Sequence, residues 1–165
     1  MKFRTWSVAS GLLLAVTVAT AQNTAPVTTM ATPPAAETEH AGFVKNLQGD
    51  VQLLSPGGEA RPAHAGDSLA PVDRLVTGKD SAASVVLRDG TTMVLGPSSQ
   101  LDLKAYSFDA TTRDGGVLVS LLRGTLRMIT GLIGKTHPDA IRVETQTATI
   151  GIRGTDFIVQ ADAQP

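Results

Sequence analysis

Between Ser84 and Leu103, apolar and polar residues alternate along the chain. Val85 and Leu87 stand two apart, as do Met93 and Leu95, then Leu101 and Leu103. A period of two places these side chains on one face of a sheet. Asp89-Gly90 separates the first pair from the second. An Asp-Gly step between alternating runs predicts a tight hairpin, with positive φ at both central residues. Gly96-Pro97-Ser98-Ser99 predicts a second turn.

The same grammar runs through the rest of the chain. Strand-like runs fall at Phe43 to Leu47, Asp50 to Leu54, Asp73 to Thr77 and Ala105 to Phe108, with a weaker one at Glu59 to Ala65. Val117 to Leu122 and Thr125 to Thr130 flank Arg123-Gly124 and read as another hairpin. Gly131-Leu132-Ile133-Gly134 reads as an apolar segment in a glycine-bounded loop. Ile141 to Thr145, Thr147 to Ile150 and Asp156 to Val159 complete the set. No window sustains helical spacing with capping signals. Short strands recurring this often predict an all-β domain: a sandwich, a barrel, or an irregular β-roll or solenoid-like domain.

Composition changes the picture at the N-terminus. Lys2 and Arg4 precede a short apolar run from Gly11 to Val18, and Ala19-Thr20-Ala21 offers a small-x-small cleavage site. That pattern predicts a signal peptide over residues 1–21 and export to the periplasm or beyond. The run is short of the roughly 20 residues that span a bilayer. Residues 22–41 carry Pro26, Pro33 and Pro34 among Ala and Thr, a composition suited to a flexible linker. The all-β domain is then expected over residues 42–160, with 161–165 as a tail. Without Lys2 and Arg4 the chain holds 12 basic and 15 acidic residues, a mild acidity that gives no reason to expect nucleic acid. Asp outnumbers Glu by 11 to 4, a bias toward turns over helices. With no cysteine the domain depends on its core alone.

The order of motifs resembles a known family. Gly49-Asp50-Val51 is followed by Gly66-Asp67-Ser68-Leu69, Leu75-Val76-Thr77-Gly78, Ser81 to Thr91, and Gly96-Pro97-Ser98-Ser99-Gln100-Leu101. Leu121-Leu122-Arg123-Gly124, Val143-Glu144-Thr145 and Ile152-Arg153-Gly154-Thr155-Asp156-Phe157 close the series. Over Gly42 to Gln160 this is similar to the FecR-type domain, named after the periplasmic part of the ferric-citrate sigma regulator. The resemblance implies an extracytoplasmic all-β module that binds other proteins; in iron-uptake regulators it senses the signalling domain of an outer-membrane receptor. The sequence departs from that architecture. It shows no sigma-binding region ahead of a membrane helix, a cleavable-looking signal in place of that helix, and no further domain after Val159. Gln146 also stands where the family often has Pro.

Chemistry is sparse. His40, His64 and His137 are isolated, and Asp50, Asp67, Asp80 and Asp89 recur at turns without a calcium-loop frame, so no metal or cofactor is expected. No nucleophile elbow or phosphate-binding glycine loop is present, so no catalytic residue is assigned. Three residues remain as candidate partner contacts. Arg153, between glycines, is either a partner contact or a half-buried Arg satisfied by a carboxylate or carbonyls; the second is preferred. Leu132 and Ile133 either dock a partner from an exposed loop or continue a core strand. The expected function is a non-enzymatic, protein-binding module of the cell envelope. A polysaccharide or small-ligand binding domain is the alternative, and a hydrolase with a cryptic site a more distant one.

Overall fold

The computed structural model describes residues 40–162. The predicted signal peptide and almost all of the linker lie outside them. The fold is all-β, as the alternation predicts. Among the described residues, twelve strands form one continuous curled sheet, antiparallel except for one parallel pair.

One wing runs β4 (Ser68–Leu69), β1 (Gly42–Gln48), β6 (Ala82–Leu87), β7 (Thr92–Leu95), then the second half of β9 (Gly115–Ile129), and β12 (Asp156–Ala161). The other runs β3 (Ala60–Pro62), β2 (Val51–Leu54), β5 (Arg74–Thr77), β8 (Gln100–Phe108), the first half of β9, β10 (Ile141–Glu144) and β11 (Thr149–Gly151). Val85, Leu87, Met93, Leu95 and Leu126 of the first wing bury with Leu53, Leu75, Leu101, Leu103 and Val119 of the second in a single core. All six alternating residues of the Ser84–Leu103 stretch are inside it.

Four of the chain's crossings from wing to wing bend on a motif of glycine or a small polar residue. β1 passes to β2 at Gly49, β5 to β6 at Gly78, and β7 to β8 at Gly96 to Ser99. The fourth crossing is inside β9, at Gly124. A line of hydrogen bonds joins the four. The Asp50 amide donates to Ser81 Oγ at 2.8 Å, and the Gly78 amide to the Asp50 carbonyl at 2.9 Å. Thr77 Oγ1 donates to the Gly96 carbonyl at 2.7 Å and accepts from the Ser99 amide at 2.9 Å. Ser99 Oγ accepts from the Thr125 amide at 3.0 Å. Thr77, Ser81 and Ser99 are buried, and these partners satisfy polar groups that would otherwise cost stability.

Three expectations are corrected. Arg123-Gly124 is no hairpin turn: residues 115–129 are one strand. Gly124 supplies the positive φ (89°) that bends it, and the pairing with β8 slips there, with Gln100 opposite Arg123 but Leu101 opposite Leu121. Glycine at a bend and glycine at a turn look alike in sequence. Gly131 to Gly134 is no open loop either: a short helix, α1, spans Leu132–Thr136. Finally, in the Asp89-Gly90 hairpin only Gly90 takes positive φ (85°). Its amide donates to the Leu87 carbonyl at 2.9 Å, so Arg88 and Asp89 are the central residues and Gly90 is the left-handed bulge that follows.

Candidate partner-binding site

The three residues singled out above lie around the end of β9. After Ile129 the chain turns into α1, a single turn of 3-10 helix (Pro138–Ala140), and β10. The β11–β12 connection returns beside it. The Thr130 amide donates to the Thr155 carbonyl at 2.9 Å, and its hydroxyl to the Gly154 carbonyl at 3.2 Å. Ile152 is buried, and its amide donates to the Ile141 carbonyl at 3.3 Å.

Arg153 is not the half-buried, satisfied Arg preferred from sequence. Its side chain is 84% exposed, 3.6 Å from the equally exposed carboxylate of Asp139. Ile152 and the carbonyl of Gly154 anchor this segment, which leaves the guanidinium free toward solvent. Leu132 and Ile133 separate. Ile133 is fully buried against the core, whereas Leu132 is 38% exposed. One turn of helix points neighbouring side chains about 100° apart, so one faces inward and the other out. Arg153 and Leu132 therefore remain available to a partner, and Ile133 supports the fold.

Sequence reasoning missed a larger exposed surface. Directly opposed residues on paired strands share a face. Phe43, Val86, Thr92, Ile129 and Asp156 form one outward row across five strands, and Ser84, Val94, Arg127 and Ile158 form the next. Ile158 is 67% exposed, Ile129 is exposed on the neighbouring strand β9, and Phe43 is exposed at the far end of its row. Arg127 Nε and Nη2 fork onto both oxygens of Asp156 at 3.0 and 2.6 Å. That pairing holds the Asp156 carboxyl below its usual range. Among the described residues β12 pairs only with β9, so its other edge carries unpaired backbone groups. A signal was present: Phe157-Ile158-Val159 are consecutive apolar residues, and a strand cannot turn all three inward.

A family model described as FecR protein matches residues 73–165, more than half of the chain. The chain belongs to the FecR family. In this FecR chain the match spans β5 to β12, while β1 and β2, upstream of it, pair with β6 and β5 in the same sheet. The motifs that carry the resemblance fall at those four crossings, at the β3–β4 connection, along β6 and its hairpin turn, at the end of β10, and in the Gly151–Thr155 segment that ties β12 to Thr130. No curated protein matches the chain. A solved structure described as a cell surface anchoring domain is similar at 28% identity, over 38% of this chain and 83% of its own, with a TM-score of 0.37. Among the described residues no helix is long and apolar enough to cross a membrane.

Proposed function

We propose that this FecR domain is a non-enzymatic, protein-binding module of the cell envelope that receives its partner along β12. The observation that carries the reading is an edge strand with a free side, Asp156–Ala161, whose outward Ile158 is flanked by Ile129 and the Arg127–Asp156 pair. An added strand would gain main-chain hydrogen bonds from the edge and specificity from those side chains. Arg153 and Leu132, near the start of that strand, extend the surface. Membership of the FecR family supports the same direction, since such domains work as sensing modules rather than enzymes. Export, implied by residues 1–21, would bring the domain to that compartment.

The test is site-specific photo-crosslinking in the native envelope, with the reactive residue at position 158 and, as a control, at position 111 in the exposed loop between β8 and β9. A discrete adduct from position 158 that the control lacks supports the reading. Identical patterns from both positions would sink it.

A further inference from the structure

β5 begins only at Arg74, two residues after a turn, and β2 ends at Leu54 opposite it, while β8 on the other side carries on to Phe108. The sheet therefore has a notch, a cleft of about 340 Å³ lined by Leu54, Pro56, Val72, Arg74, Asp102 and Lys104 among others. That volume lies at the lower end of the range of ligand pockets, about 300–1,000 Å³. Two features mark it.

The first is charge. Arg74 Nε and Nη2 donate to the two oxygens of Asp102 at 2.5 and 2.7 Å, and Lys104 Nζ lies 3.6 Å from the same carboxylate. Two cations share one buried anion, so the lining has one positive charge to spare. Arg74 also keeps N–H donors that the fork does not use. Asp73, which precedes Arg74, is buried outside the lining, with its carboxylate accepting from the Ala70 amide at 2.8 Å.

The second is strain. The Asp73 amide donates to the Ala70 carbonyl at 3.3 Å, closing a turn with Pro71 and Val72 at its centre. Val72 takes φ of 74°, a conformation that such turns reserve for glycine and that a β-branched residue rarely enters. Its side chain is 51% exposed at the cleft, so core packing does not account for it. Strain of this kind persists where the side chain is needed.

We propose that the cleft binds a short acidic peptide segment, in which a carboxylate meets Arg74 and Lys104 and an adjoining aliphatic side chain packs on Val72, Leu54 and Pro56. An acidic sugar would set its hydroxyls against those same apolar walls. This site is separate from the β12 edge and stands whether or not that edge binds a partner.

The test is amide-resolved NMR titration of the folded chain with acetyl-Leu-Asp-amide, acetyl-Leu-Asn-amide and sodium glucuronate. Saturable shifts at Val72, Arg74 and Lys104 are expected with the Asp peptide, at least fivefold weaker with the Asn peptide and reduced by salt. Val72→Gly should bind the Asp peptide at least fivefold more weakly while its Tm stays level or rises. Lys104→Gln should weaken binding without moving Tm. The proposal is overturned by shifts that do not saturate, by equal binding of the Asn peptide or glucuronate, or by a Val72→Gly chain that binds as tightly as the parent or melts lower.

Discussion

The main-chain N–H of Leu132 donates to the carbonyl oxygen of Asp89 at 2.8 Å. This bond ties the tip of the β6–β7 hairpin to the start of α1. The rest of Asp89 serves the same junction. Its carboxylate accepts from the Thr91 hydroxyl at 2.6 Å and from the Thr91 amide at 3.2 Å, and that hydroxyl accepts from the Gly131 amide at 3.0 Å. Gly131 has no room for a side chain, since a Cβ there would sit 2.3 Å from the Asp89 carbonyl. The hairpin thus sets the height at which Leu132 reaches the surface.

Asp89→Ala should therefore loosen α1 as well as the hairpin. Loss of its buried hydrogen bonds is expected to cost about 1–3 kcal/mol. Hydrogen exchange at the Leu132 amide should accelerate more than that at Leu126, in the middle of the sheet. Equal acceleration at both would mean that the turn acts on global stability alone.

Leu132 and Ile133 should part company under truncation. Ile133→Ala, in a fully buried site, is expected to cost about 2–5 kcal/mol. Leu132→Ala should stay below about 1 kcal/mol, as partly exposed positions usually do. Denaturant midpoints of the two variants check this directly.

Gly124→Ala strikes the crossing inside β9. A Cβ there would sit 2.2 Å from Ser99 Oγ and 2.5 Å from Ser99 Cα, on a residue with φ of 89°. Overpacking and left-handed strain add, and a loss of about 3 kcal/mol or more is expected. Thermal melting reads it, and a Tm within a degree or two of the parent would show that the strand bends elsewhere.

Tyr106 gives the fold an alkaline limit. It is the chain's one tyrosine, and its hydroxyl oxygen accepts from the Asp89 amide at 3.0 Å. Burial, then the nearby Asp89 charge, pushes its phenol up to about 12 from an ordinary 10.0. A pKa raised by folding leaves stability intact below the unfolded value and drains it as pH climbs from about 10 toward 12. Discounted for a partly exposed ring, the loss is about 1–2 kcal/mol. Tyrosinate absorbance titrates this group alone. Tyr106→Phe should flatten the loss between pH 10 and 12 while costing about 1 kcal/mol at neutral pH, where the Asp89 amide loses its acceptor.

Much of the stretch from β6 to β8 was legible in sequence, because alternation is a local property and Val85, Leu87, Met93, Leu95, Leu101 and Leu103 all obey it. β9 was misread because its identity is not local. Arg123-Gly124 offers a bend, and only the partners decide between a turn and a continuous strand: β8 and β10 hold the first half straight, β7 and β12 the second. Arg153 was misjudged for a similar reason, since sequence could not reveal that Ile152 and the Gly154 carbonyl anchor the segment instead. Gln146 was noted only as a departure from the family's proline. Its side-chain amide donates to the Leu122 carbonyl at 3.0 Å, at the point where β10 has ended and β12 has not yet begun to pair with β9. The cleft at Val72 had no periodic signature, because it arises where a strand stops short.

The single long strand also dictates an order of assembly. β1 and β6 can pair early, and so can β2 and β5, but neither wing has its centre until residues 115–129 are in place. Such non-local pairing belongs to domains that fold in roughly milliseconds to seconds. β12 docks on the half of β9 that lies beyond the Gly124 bend, so the proposed partner edge comes into being only once that half of β9 is in place. A chain caught half-folded would lack that edge, and a partner taken up at the proposed β12 site would therefore report on a folded β9.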